Sequence, residues 1–197
     1  VSAPLLSVVV PTIGRPTLER TLRSLRYQAP SSTLEIVVVG DTHQATYARA
    51  LGTVPYLCDQ FEARYLEHDG GLHCVGQPQR QRGQAAAHGL WLAWLQDDDV
   101  WAANALATIR PFLAYVRPLL FRAETRHGGT VWREPRLEHG NVDANCLVVP
   151  NVPARLGRWL NHYDGDYAMI AHTVGLWQHA YWPPPLIALH DREPVAT

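Results

Sequence analysis

Leu90-Trp91-Leu92-Ala93-Trp94-Leu95-Gln96-Asp97-Asp98-Asp99 runs from six apolar residues through one amide into three consecutive carboxylates. An apolar run of this kind reads as a buried strand, and its far end gathers several negative charges at one point. Those charges repel unless something cationic joins them. The natural guest is a divalent metal with oxygen ligands, which keeps open positions for a phosphate. The stretch therefore reads as a metal–diphosphate site at the carboxyl end of a strand. It also reads as a solvated acidic turn in which one Asp caps the helix that follows. The rest of the chain favours the first reading.

Upstream, Leu5 to Val10 is a continuous apolar, β-branched stretch that reads as a buried parallel strand, followed by a loop from Pro11 to Pro16. Thr17 is placed to cap a helix carrying Leu18, Leu22 and Leu25 at helical spacing. Leu34 to Val39 reads as a second buried strand ending at Gly40-Asp41, so the opening is a βαβ unit. A short helix is expected over Tyr47 to Leu51, a strand around Ala63 to Leu66 and a turn at Gly70-Gly71. Gln77 onward begins as a loop and becomes helix. Downstream, Ala102 to Val116 reads as a helix interrupted near Pro111. Leu119 to Glu124 and Thr130 to Arg133 read as strands about a Gly turn, and Cys146 to Val149 as another. A helix follows Asp164-Gly165-Asp166, and a last strand, Leu186 to Leu189, ends at His190-Asp191. Pro183-Pro184-Pro185 reads as a rigid connector.

The whole, 197 residues with 47% hydrophobic and 18% charged, suits one α/β domain over residues 1–197. A formal net charge of −1 offers no global basic field for nucleic acid, although Arg15, Arg20, Arg23 and Arg26 form a local basic face. Lysine is absent and all 17 fixed cations are Arg. That excludes Schiff-base and lysine–phosphate chemistry and leaves bidentate Arg hydrogen bonding for a diphosphate. Cys58, Cys74 and Cys146 are odd in number and form no CxxC pair. They read as reduced thiols of an intracellular, cytoplasmic protein, with one disulfide plus one free thiol as the alternative. No apolar segment reaches the roughly 18 residues that a membrane-spanning helix needs.

Three strand ends carry chemistry, and ligands of open parallel sheets bind outside such ends, where the strand order reverses. The first offers Pro11, Thr12 and Arg15, the second Asp41, and the third Asp97, Asp98 and Asp99. A carboxylate at the second end suits a ribose hydroxyl or a base N–H. Together the three describe a nucleotide-diphosphate site.

Ser7-Val-Val-Val-Pro-Thr-Ile-Gly-Arg-Pro-Thr17, Leu34-Glu-Ile-Val-Val-Val-Gly-Asp41, Arg80-Gln-Arg-Gly83 and Leu92-Ala-Trp-Leu-Gln-Asp-Asp-Asp-Val-Trp101, in that order and spacing, resemble the family 2 glycosyltransferases. The resemblance covers residues 5 to 110. It implies a GT-A fold, a mostly parallel α/β sheet flanked by helices with a small C-terminal acceptor-side subregion. Residues 1–101 would form the nucleotide-sugar part and 102–197 the acceptor side. It implies a nucleoside-diphosphate sugar, a UDP-sugar first, and Mn²⁺ or Mg²⁺. Carried over residue by residue, Pro11 and Thr12 lie beside the base, Asp41 holds it, and Arg80 or Arg82 approaches the diphosphate or the sugar. Asp97 and Asp98 contact ribose, sugar or metal, and Asp99 is the metal ligand, with Asp97 sharing that role. His190 matches the C-terminal His that some GT-A enzymes add to the metal. Gly165-Asp166-Tyr167 resembles the Glu-Asp pair of inverting members, with Gly165 where the Glu stands. Asp166 is then the general base, with Asp164 in reserve. Two further departures are Gly40-Asp41 in place of paired aspartates and Gln96 in place of an Asp.

Two other classes share parts of this pattern. A nucleotidyltransferase uses a Gly-rich basic loop, for which Gly14-Arg15-Pro16 is a poor substitute. A non-catalytic nucleotide- or sugar-binding module on the same fold would bind without turnover. The acceptor is open among a saccharide, a lipid-linked sugar, a small metabolite and a modified nucleic-acid base. Trp132, Trp159, Trp177 and Trp182 are available for stacking or for the core. The chain has little room for an acceptor domain, so that site falls near residues 120 to 165 or comes from a partner subunit in a homo-oligomer.

Overall fold

The computed structural model describes residues 2–44, 52–69, 76–125 and 127–190. The expected helix at Tyr47 to Leu51, the Gly70-Gly71 turn, Cys74 and Asp191 lie outside these residues.

The main sheet has the order β3-β2-β1-β4-β9-β6. Strands β1 (Leu6–Thr12), β2 (Leu34–Asp41), β3 (Arg64–His68) and β4 (Trp91–Trp94) run parallel. Strand β9 (Leu147–Pro150) pairs antiparallel with β4, and β6 (Leu119–Leu120) antiparallel with β9. Apolar residues dominate β1, β2 and β4, interrupted at Ser7 and the half-buried Glu35, because these strands are buried almost throughout. Helix α1 (Leu18–Arg26) packs on β2, while α3 (Gln77–Ala86) packs on β1, β2 and β3. Helix α2 (Thr53–Gln60) leads into β3.

A second sheet, β5-β10-β7-β8, joins β5 (Asp99–Trp101), β10 (Leu186–His190), β7 (Arg122–Glu124) and β8 (Thr130–Val131). Its register sets His190 opposite Asp99. Helix α4 (Ala105–Ile109) turns into a 3-10 segment at Arg110–Tyr115, where Pro111 stands, and α5 (Gly165–Trp177) starts beside the Asp166 carboxylate. No described helix is long and apolar enough to cross a membrane.

Several local expectations change. Thr17 precedes α1 but makes no side-chain cap, since its φ and ψ are already helical and its hydroxyl is buried. Residues 77–86 are helical from the start, because Gly76 at φ +78° turns the chain sharply and Pro78 suits the first helical turn. The basic face of α1 is spent internally. Arg23 pairs with Glu19 at 2.5 Å, and Arg26 donates to the carbonyls of Ala29, Leu34, Phe61 and Glu62. Cys58 and Cys146 are free and buried.

Candidate functional site

The strand order reverses between β1 and β4, so their carboxyl ends open one crevice. Leu95 N–H bonds Val9 O at 3.1 Å and carries the parallel ladder one residue past β4, which brings Asp97 beside Thr12. The Thr12 hydroxyl donates to Asp97 Oδ2 at 2.7 Å, Ile13 N–H donates to the same oxygen at 3.3 Å, and Arg15 Nη1 donates to Oδ1 at 2.9 Å. Arg15 also reaches Asp98 Oδ2 at 2.8 Å. Both oxygens of Asp97 are thus engaged by the loop after β1. Burial pushes the Asp97 carboxyl above its ordinary range in spite of Arg15 and Thr12.

A cavity of about 240 Å³ lies over these strand ends, lined by Pro11, Thr12, Arg15, Asp41, Arg80 and Asp97 together with Ile13, Gln44, Gly76, Gln79 and Gln96. Asp41 is buried at the end of β2, where its Oδ1 accepts from His43 N–H at 3.0 Å. Arg80 is buried on α3, with its guanidinium 5.3 Å over the Trp159 ring. Arg82, one turn position away, is exposed on the helix and is not among the lining residues. Of the two arginines, the structure brings Arg80 to the crevice.

Asp99 belongs to a different set of contacts. Its Oδ2 accepts from Asn145 Nδ2 at 2.6 Å, and the same nitrogen lies 3.2 Å from His190 Nε2. His190 in turn meets Asp143 Oδ2 at 3.0 Å. Burial pushes the Asp99 carboxyl up to about 6, against the attraction of His190. Burial also opposes ionisation of Asp143, but its hydrogen bond to His190 and that residue's charge outweigh this and hold the carboxyl below its ordinary value. Oδ1 of Asp98 and Oδ1 of Asp99 are buried with no hydrogen-bond donor among the described residues. Orphaned carboxylate oxygens are the chemistry that a hard divalent cation satisfies. No group of three or more His, Cys, Asp or Glu converges on one point among the described residues. The donor set therefore fits a cation held by one or two carboxylates and completed by phosphate oxygens, the usual manner of Mg²⁺ at nucleotides. Asp97 accepts from Thr12, Ile13 and Arg15, so both of its oxygens anchor the loop after β1.

A second cavity of about 260 Å³ adjoins the first, with Arg80 and Gln96 lining both. Asp166, Asp164, Asp143, His139, Tyr163, Tyr167 and His190 line its other walls. Asp166 Oδ1 accepts from Gln77 Nε2 at 2.8 Å and its Oδ2 from Ala144 N–H at 3.4 Å, while Arg80 Nη1 lies 4.0 Å away. Asp164 is engaged by His139 at 2.6 Å. Trp132 and Trp159 are buried, Trp132 donating to the carbonyls of Leu120 and Phe121. Sequence reasoning passed over Gln77, His139, Asp143 and Asn145. Only Asp143-Ala-Asn145, a polar pair just before an apolar strand, offered a local signal.

Solved structures share this architecture at low identity. TarS of S. aureus superposes with a TM-score of 0.72 at 14% identity, over 96% of this chain and 37% of that one. Its 1–349 form in complex with UDP-GlcNAc gives 0.71 at 16%, over 95% of this chain and 58% of that one. The mannosyltransferase PcManGT from Pyrobaculum calidifontis, in complex with GDP-Man and Mn²⁺, gives 0.66 at 17%, over 99% and 59%. This likeness establishes the GT-A fold, and the chain spans between 37% and 59% of the length of these three structures. No curated protein matches the sequence. The model for glycosyl transferase family 2 matches residues 7–136, more than half of the chain and the part that contains Thr12, Asp41, Arg80 and all three aspartates. The chain belongs to glycosyl transferase family 2.

Proposed function

We propose that the protein transfers a sugar from a nucleoside-diphosphate donor, a UDP-sugar first, to an acceptor hydroxyl with inversion at the anomeric carbon. The single observation that carries this reading is the pair of adjoining cavities sharing Arg80 and Gln96, one over the aspartate-bearing strand ends and the other against Asp166. Residues 1–101 hold the donor and 102–197 build the acceptor side. Pro11, Thr12 and Asp41 receive the base and ribose, and Arg15 and Arg80 face the diphosphate. Arg15 already neutralises Asp97 and Asp98, so a diphosphate competes for a cation that is on hand.

Asp99 and His190 would hold Mn²⁺ or Mg²⁺ together with phosphate oxygens, and the bound ion would supply Lewis-acid stabilisation of the leaving diphosphate, worth several kcal/mol in such sites. In the transfer itself the acceptor oxygen forms a bond to the anomeric carbon from the face opposite the diphosphate. The C–O bond to the β-phosphate breaks, its electron pair leaves with the nucleoside diphosphate, and Asp166 takes the hydroxyl proton. Asp164 is tied up by His139 and stands behind Asp166 in this role.

The test is calorimetric titration of UDP with Mn²⁺ and then with EDTA, on the wild type and Asp99→Ala. Binding that is tighter with the metal than in EDTA, with that gain lost in the variant, is the expected result. No binding of UDP, GDP, CDP or dTDP to the wild type would remove the nucleotide reading.

A further inference from the structure

Gln77 is buried at the first position of α3, and its amide faces two charged groups of opposite sign. Nε2 donates to Asp166 Oδ1 at 2.8 Å, and Oε1 accepts from Arg80 Nη1 at 3.4 Å. That orientation follows from chemistry, because a carboxylate only accepts and a guanidinium only donates. The amide is therefore a bridge between a cation lining both cavities and the carboxylate lining the acceptor-side one. The neighbouring glycine fits the same arrangement. A Cβ on Gly165 would lie 2.5 Å from the Leu160 carbonyl oxygen and 2.7 Å from both Cδ and Nε2 of Gln77, so a side chain at 165 would crowd the backbone and the amide together. Gly76 tightens the other end, where a Cβ would meet Arg80 Nη1 at 3.2 Å.

We propose that Gln77 is the positioning residue of the reaction. It fixes the rotamer of Asp166 so that Oδ2, whose Ala144 N–H contact is long at 3.4 Å, is presented to the acceptor hydroxyl, and it ties that orientation to Arg80 on the donor side. This rests on the reading of Asp166 as general base. A base must sit within hydrogen-bond reach of the proton it removes, and small misplacements of such groups cost large factors in rate.

The test uses the full chain with Mn²⁺ and UDP-GlcNAc, and release of UDP to water as the turnover signal. Gln77→Met keeps the length and removes both polar contacts. It is expected to bind UDP within about threefold of wild type and to lose about 10- to 100-fold in kcat with little change in donor KM. Gln77→Glu keeps the shape but places a second carboxylate beside Asp166. Its turnover, taken as a ratio to wild type at each pH, is expected to be lowest near neutral pH and to rise toward pH 5, where a shared proton restores a donor at position 77. A purely structural side chain gives no such recovery. In an Asp166→Asn background, Gln77→Met should add nothing further. Unchanged kcat in Gln77→Met overturns the proposal, as does a full additional loss on top of Asp166→Asn. A wild type that binds UDP but releases none from UDP-GlcNAc, UDP-glucose or UDP-galactose overturns the Asp166 assignment and the inference together. A wild type that does not bind UDP overturns the nucleotide reading instead.

Discussion

At Thr12 one hydroxyl does two things, donating to Asp97 Oδ2 at 2.7 Å and accepting from Gly14 N–H at 2.9 Å. The first contact satisfies a buried carboxylate, and the second folds the loop that carries Arg15. Thr12→Val keeps the shape and deletes both, leaving the buried Asp97 with one donor fewer. We expect a loss of about 1–3 kcal/mol in urea denaturation and weaker UDP binding, the usual cost of stranding a buried polar atom. An unchanged midpoint and slope would mean that Arg15 alone suffices. Cys58 makes the opposite kind of prediction. Burial, then the nearby Asp59 charge, pushes its thiol from 9.0 up to about 12. The folded state therefore keeps a proton that the unfolded chain gives up near 9.0. The stability this group contributes is intact below that pH and falls as pH rises toward 12, by at most about 1.4 kcal/mol per unit. Iodoacetamide at pH 8 should leave Cys58 unmodified in the native protein and label it in urea, and Cys58→Ala should flatten the alkaline slope. Labelling of the native thiol at the rate of a free cysteine would refute the burial argument.

Among the elements, those legible in the sequence share one physical cause. β1, β2 and β4 are covered by other parts of the protein, so apolar residues dominate them and stand out from any neighbour. Elements fixed by distant partners left no such trace. β5 is three residues long, one of them shared with the reading of an acidic turn, and it exists because β10, some 85 residues on, pairs with it. Helix α2 has a Pro and no clear apolar stripe, and only its docking to β3 makes it visible. The site divides the same way. Asp41, Arg80 and the three aspartates sit next to elements with strong local patterns, whereas His139 meets Asp164 and Asn145 meets Asp99 across 25 and 46 residues. One element-level consequence concerns α3. Gly83 lies so close to β1 that an added Cβ would enter the van der Waals shell of Val9 and press on Val39. Gly83→Ala should lift α3 from the sheet, cost about 1–3 kcal/mol as an overpacked contact, and weaken UDP binding because Arg80 moves with the helix. Loss of stability with full UDP affinity would mean that the strain is absorbed by the sheet instead.

Across the whole molecule the two sheets meet at the aspartate run, since Asp97 contacts the loop after β1 and Asp99 opens β5 of the second sheet. Three adjacent carboxylates thus face different ligand environments. Asp97 is tied to the loop after β1, while Asp99 is joined through Asn145 to His190 and Asp143, which line the second cavity. This division predicts how ligands should propagate through the fold, and amide hydrogen exchange reads it directly. In the free protein the long buried strands β1 and β2 should exchange slowest, and the two- and three-residue strands β7 and β8 fastest among the strands. UDP with EDTA should slow exchange at residues 11–15 and 76–80, which surround the first cavity, and leave the second sheet unchanged. UDP with Mn²⁺ should extend protection to residues 97–101 and 186–190 together, because an ion on Asp99 and His190 would clamp β5 to β10 at the pair where they already lie opposite. Protection of 97–101 without 186–190 would place the ion on the aspartates alone and remove His190 from the metal site. Protection of both by UDP in EDTA would mean that the nucleotide orders the second sheet with no ion at all.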